Sequence, residues 1–210
     1  MVDVQLQTLR ICALLHDIGK LECWANRRPW LEHIPCTYEI VKASLGEEYA
    51  VASMRHHAGL SYPVEYNPQT ELEKIICLAN NFAAGAYGRE EPEHGAPYPK
   101  PISLAHVLSD GSVVRRSFVE EELAEALKVL QKKIKEVGVS IAERPLEAYL
   151  EIFDLLASSE LREMPSDTRT SLNDVSLWNH LKLTAAFATC IWMDGGYRGD
   201  AYDNYNFAIL

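Results

Sequence analysis

The stretch Ala13-Leu14-Leu15-His16-Asp17-Ile18-Gly19-Lys20 constrains this chain more than any other. Leu6, Leu9, Cys12, Ala13 and His16 recur at the three- and four-residue spacing of one helix face. His16 is therefore carried inward with the apolar side chains, and Asp17 follows one step round the same helix. Gly19 offers a left-handed stop for that helix. A carboxylate carried inward is costly unless a cation meets it. A metal ion held by imidazole and carboxylate answers that demand. A bare His-Asp pair would read as a core histidine and a capping aspartate. The full string shifts the reading to metal.

At 210 residues the chain can hold one sizeable core, or one core with a small appendage. No apolar stretch is long enough to span a bilayer, so a membrane partner is not expected. Cys12, Cys23, Cys36, Cys77 and Cys190 are scattered, with no Cys-x-x-Cys pair. That argues against a zinc ribbon and a disulfide framework, and fits a reducing cytoplasm. The formal net charge of −10 matters for partners. A domain that grips duplex DNA alone usually carries a basic surplus. Nucleic acid is expected here only at a local site where metal ions supply the positive charge.

Read in order, the chain is mainly helical. Residues 4–18 form the first predicted helix, and residues 22–35, with two prolines, read as an irregular loop carrying His33. Thr37 is placed to cap a short helix that Gly46 ends. Residues 47–57 predict a helix ending in His56-His57, and residues 71–86 a strongly apolar one containing Asn80. A loop over 87–101 and a small hairpin over 102–114 follow. Residues 120–137 read as an amphipathic helix ended by Gly138, and residues 146–156 as another. A last helix runs to Met193, capped by Asp174 or Ser176. The domain expectation is one unit over 1–194, with the hairpin and acidic helix (about 102–137) inserted. Residues 195–210 would be a linker, with Phe207 to Leu210 opening a following domain.

Seven histidines are available, and His94 and His106 fall in the predicted loop and hairpin, where histidines are usually surface residues. His180 shares a helix face with Thr184 and Ala188, small residues that allow another helix to approach closely. Alone, His180 reads first as a partly buried, backbone-bonded histidine near a helix start. His56-His57 could supply a ligand and a supporting group, or simply sit against a helix C-terminus. Lys20 stands where it could touch a phosphate near a metal, or could be a solvated lysine.

Together these segments resemble the HD superfamily of metal-dependent phosphohydrolases. Most members place an early helix histidine before the His-Asp doublet. Here the matching segment, His180-Leu181-Lys182-Leu183-Thr184-Ala185-Ala186-Phe187-Ala188, comes last. That order resembles the permuted HD domain of the large, palm-containing subunit of type III CRISPR effector complexes. The resemblance extends through His33 with Thr37 to Val41, Arg55-His56-His57, Cys77 to Gly85, Lys100 to Leu108 and Pro165 to Arg169.

The resemblance implies a circularly permuted HD-type helical bundle with a small β-hairpin. It implies a metal-dependent nuclease acting on single-stranded DNA, beside the palm/cyclase portion of the large subunit, other effector subunits and, indirectly, guide RNA. By position it assigns His16, Asp17, His33, His180 and at least one of His56 and His57 to metal binding, with Asp17 bridging if two ions bind. Lys20 would help hold the phosphate. Manganese, nickel or cobalt suit such a ligand set. One position departs from the pattern: where the family has a late aspartate, this chain has Asn80, an uncharged and weaker ligand. A weakly active or inactive docking module, or a small-nucleotide phosphohydrolase, are the other readings. The chain has no Gly-Gly-Asp-Asp signature for cyclic oligoadenylate synthesis.

Overall fold

The structure is a computed structural model describing residues 3–60, 62–85, 102–106, 114–167, 174–201 and 204–206. Helix α1 (Val4–Leu15) starts at Asp3, whose carboxylate accepts from the Leu6 amide at 3.1 Å. Its last five residues, Ile11 through Leu15, are buried all round, so it is the central helix rather than an amphipathic one. Helices α4 (Glu47–Met54), α5 (Glu71–Gly85), α7 (Pro145–Ala157) and α8 (Leu177–Met193) pack around it. Helices α2 (Gly19–Ala25), α3 (His33–Leu45) and α6 (Glu120–Gly138) form an adjoining layer. Among the described residues, no helix is long and apolar enough to cross a membrane.

Two strands, β1 (Ile102–Ala105) and β2 (Val114–Phe118), pair antiparallel, with Ile102 opposite Phe118 and Leu104 opposite Arg116. The register shifts between Leu104 and Ala105, which leaves one extra residue on β2. The hairpin leads into α6, whose Leu123, Leu127, Leu130 and Ile134 join the same core as α1 and α8. The Glu122 side chain accepts from the Val119 amide at 3.1 Å and satisfies the start of α6. Ser176 caps α8 by accepting from the Asn179 amide. Residues 195–201 and 204–206 return along α5: the Tyr197 amide donates to Glu71, and Tyr205 packs edge-on to Phe82.

The mainly α bundle with a small hairpin matches the sequence expectation, although the second strand, Val114–Phe118, runs past the expected 102–114, and further local corrections follow. Gly19 does not end α1 in a left-handed turn. It opens α2, and its lack of a side chain serves packing: a Cβ there would stand 2.2 Å from the His33 carbonyl oxygen and 2.4 Å from the Thr37 nitrogen. Residues 22–35 are not an irregular loop, because α2 runs to Ala25, a 3-10 turn spans Trp30–Glu32, and α3 begins at His33. Pro35 fits the first turn of α3, where backbone amides need no helical partner. The fourth helix ends at Met54, so His56 and His57 lie beyond it, and Gly138 lies inside α6 rather than after it. Gly46 does stop α3, with φ of 97°. His106 is exposed. His94, the hairpin tip, Thr168-Arg169 and Phe207 to Leu210 lie outside the described residues.

Candidate metal centre

The bundle gathers residues from five segments around Asp17. His16 and Asp17 form the corner between α1 and α2, and His33 is the first residue of α3. His56 and His57 follow α4, Asn80 lies within α5, and His180 lies in the first turn of α8. The corner is held by the Thr37 hydroxyl, which donates to the His16 carbonyl and accepts from the Gly19 amide, both at 3.0 Å. Thr37 therefore joins α3 to the His-Asp doublet instead of capping a helix, as the sequence suggested.

Asp17 divides its two oxygens between two sets of histidines. Its Oδ1 is 3.3 Å from His33 Nε2 and 3.5 Å from His56 Nε2. Its Oδ2 is 3.4 Å from His180 Nε2 and 3.5 Å from His16 Nε2. His57 Nε2 adds to the first set, 3.3 Å from His33 Nε2. Two ligand groups result, His33 with His56 and His57, and His16 with Asp17 and His180.

Three of the histidines are aimed in the same way. His16 Nδ1 bonds the Ala13 carbonyl at 2.8 Å, His33 Nδ1 the Trp30 carbonyl at 2.5 Å, and His56 Nδ1 the Ser53 carbonyl at 2.8 Å. A carbonyl oxygen only accepts, so each Nδ1 carries the hydrogen and each Nε2 presents a lone pair. This is the arrangement that orients metal-binding imidazoles. His33 Nε2 and His56 Nε2 then face each other at 3.2 Å with no hydrogen to share between them. Asp17 Oδ1, buried beside them, accepts no hydrogen bond. A cation between these three atoms satisfies all of them, so the residues present fit a divalent ion.

Electrostatics agree. Burial lowers His16 well below the usual imidazole value and holds His33 at about 3, against partial compensation from Asp17. His57, the partly exposed member of the set, is also pushed well down, by burial of its ring and then by His56 and His33. These rings stay neutral, as metal ligands must. Burial alone would raise Asp17, but the Lys20 ammonium and the surrounding imidazoles outweigh it and hold the carboxyl well below its usual range.

Lys20 lies inside the protein. Its ammonium donates to Asp17 Oδ2 at 2.6 Å and to the Ser166 carbonyl at 2.8 Å. The Ser166 segment is fixed in turn by bonds from the Ser166 amide to Val175 and from the Leu177 amide to Met164, both 2.8 Å. Asn80 donates to the His56 carbonyl at 3.3 Å, which turns its Oδ1 to within 3.1 Å of His180 Nε2. The amide thus stands at the edge of the His16-Asp17-His180 group. Sequence reasoning missed three contributors: the Trp30 carbonyl behind His33, the Ser166 carbonyl on Lys20, and Tyr62, whose ring stacks on His57 with centroids 4.8 Å apart. Backbone carbonyls carry no signature in a sequence, and Tyr62 lies in a loop without periodicity.

A helical bundle whose core presents a His-Asp doublet to histidines from separate helices is the architecture of an HD domain. Residues 2–85 match the family model of the HD domain. Its fold is shared with solved structures of Csm1. One is Csm1 of T. onnurineus, with TM-score 0.62 and 18% identity, covering 91% of this chain and 29% of that one. Another is the Csm1-Csm4 subcomplex of the type III-A CRISPR-Csm interference complex, also TM-score 0.62 and 18% identity, covering 91% and 28%. A third is a Csm1-Csm4 cassette in complex with cA4, at TM-score 0.60 and 18% identity, again covering 91% and 28%. The chain therefore spans under a third of the length of these neighbours. No curated protein matches it.

Proposed function

We propose that this chain is the metal-dependent nuclease module of a type III CRISPR effector subunit and that it cleaves single-stranded DNA. The observation that carries the reading is the division of the Asp17 oxygens between two histidine sets, which suits a carboxylate bridging two ions. His33, His56 and His57 would hold one ion, and His16 and His180, with Asn80 Oδ1 in reach, the other. Bound manganese, nickel or cobalt would activate water and offset the charge developing on a phosphodiester. The chain's own residues do the rest. Carbonyls behind His16, His33 and His56 fix the rings. Lys20 orients Asp17, and its ammonium, released from Oδ2, reaches a phosphate oxygen. His57 marks the side from which substrate approaches, since it is the partly exposed ligand.

The acidic chain lacks the basic surplus of a free-standing DNA binder, which favours work beside a palm domain and other effector subunits that hold nucleic acid. The test is incubation of labelled single-stranded DNA with the protein and each metal in turn. Wild type shortens the DNA only with metal. Asp17→Ala lowers the rate by more than the roughly 100-fold that losing an outer-shell partner costs. Equal rates for the two proteins would remove the reading. Asn80 favours a second reading, a docking module with little catalysis, because the amide adds no charge beside His180. A full metal complement on the wild-type protein would count against it.

A further inference from the structure

We propose that Cys23 and Cys36 form a peroxide-oxidised dithiol that links α2 to α3. The two cysteines are 13 residues apart and meet across the interface of these helices, with Sγ atoms 3.9 Å apart. The Cys23 thiol donates to Cys36 Sγ, and Arg28 Nη1 donates to the same sulfur at 3.5 Å. Arg28 is itself tied to α2, since its amide bonds the Cys23 carbonyl at 2.9 Å.

Cys36 is the reachable member. It lines a surface pocket of about 290 Å³ with Glu22, Arg28, Pro35, Glu39 and Gln131, room enough for a water-sized oxidant. Cys23 lies behind it and is fully buried. The hydrogen bond from Cys23, and then the Arg28 guanidinium, lower the Cys36 thiol against its burial. Cys12 and Cys77 sit elsewhere in the core, where burial pushes each thiol up to about 12. The pair therefore differs from Cys12 and Cys77 in bordering that pocket, in cationic company and in having a partner thiol.

The chemistry balances with peroxide as the oxidant. The Cys36 sulfur attacks one peroxide oxygen, the O–O bond breaks, and the departing hydroxide leaves as water with the thiol proton. Cys36 is then a sulfenic acid. The Cys23 sulfur attacks the Cys36 sulfur, the S–S bond forms, the S–O bond breaks, and the second water carries away the Cys23 proton. Two electrons pass from two thiols to one peroxide. The sulfurs must approach by about 1.9 Å to reach bonding distance. The bridge joins the helix bearing Lys20 to the helix bearing His33 and Thr37, and so spans one flank of the metal centre.

The test uses the whole chain, reduced, desalted and exposed to hydrogen peroxide, then denatured, alkylated and mapped by mass spectrometry. The expected result is a fall from five free thiols to three, with a peptide joining Cys23 to Cys36. Arg28→Leu, at a side chain nearly half exposed, slows the linkage several-fold. Cys23→Ser leaves Cys36 as a sulfenic acid that dimedone captures. If Cys23→Ser fails to fold, the wild-type and Arg28→Leu time courses decide alone. Cys23 and Cys36 both remaining alkylatable while Cys190 oxidises would overturn the proposal, as would a rate indifferent to Arg28.

Discussion

His16 Nε2 and His180 Nε2 stand 3.3 Å apart although 164 residues separate them. The contact exists because α8 packs on α1, and Thr184, Ala185 and Ala188 of α8 are buried. The helix that closes the described bundle is thus part of its centre.

Removing the chain from Asp174 onward abolishes cooperative folding. Leu177, Leu181, Ala188 and Ile191 are completely buried, and Phe187 nearly so. Each large apolar side chain contributes about 1.5–3 kcal/mol, against a typical total stability of 5–15 kcal/mol. A sigmoidal thermal transition in the truncated protein, followed by circular dichroism, would show α8 to be dispensable.

Gly19→Ala is expected to destabilise the protein by about 1–3 kcal/mol or more. The new Cβ meets backbone, the His33 carbonyl oxygen at 2.2 Å, and the Thr37 hydroxyl oxygen at 2.7 Å. Metal affinity falls with it, since α3 must shift and takes His33 along. Urea unfolding and metal titration on the same sample check both effects.

That glycine also shows what a sequence reveals and what it does not. The inward course of His16 is legible because helical spacing fixes which residues face inward, whereas His180 joins Asp17 in the sequence reading only through the resemblance. The role of Gly19 is not legible, because a stop for one helix and a close contact at the start of the next use the same residue. His33 looked like a loop residue because Pro29 and Pro35 flank it, yet both prolines tolerate a helix start between them. The pairing of Lys20 with Ser166 depends on a contact across 146 residues, which no local pattern encodes.

Asn80→Asp should make stability strongly metal-dependent. The amide now donates to the His56 carbonyl, and a carboxylate there would oppose that oxygen and add a buried charge. Without metal the variant melts lower than wild type. With manganese its melting temperature rises by more than wild type's, through tighter binding to the native state. Equal metal-induced shifts in a thermal-shift titration would place Asn80 outside the ligand set.

Acidification of the metal-free protein destabilises it well before Asp17 titrates. His33 has a folded value of about 3 against 6.5 unfolded, so between these limits the unfolded chain binds the extra proton and stability falls as pH falls. The slope is about 1 kcal/mol per pH unit for each histidine lowered in this way, and His16 and His57 act in the same direction. Asp17, held below its ordinary value of 3.8, adds stability above that pH and withdraws it only lower down. Urea midpoints that stay constant from pH 6.5 to 4.5 would contradict this account.

The bonds from His16, His33 and His56 to carbonyls three residues upstream have a consequence for architecture. Each imidazole takes its direction from a four-residue cassette, Ala13 to His16, Trp30 to His33 and Ser53 to His56. Aim is a local property, and only placement is tertiary. A cassette delivers its nitrogen correctly wherever its segment docks, whatever the length or order of the connections between. Such a centre tolerates rearranged connectivity in a way that a site built from one continuous loop does not.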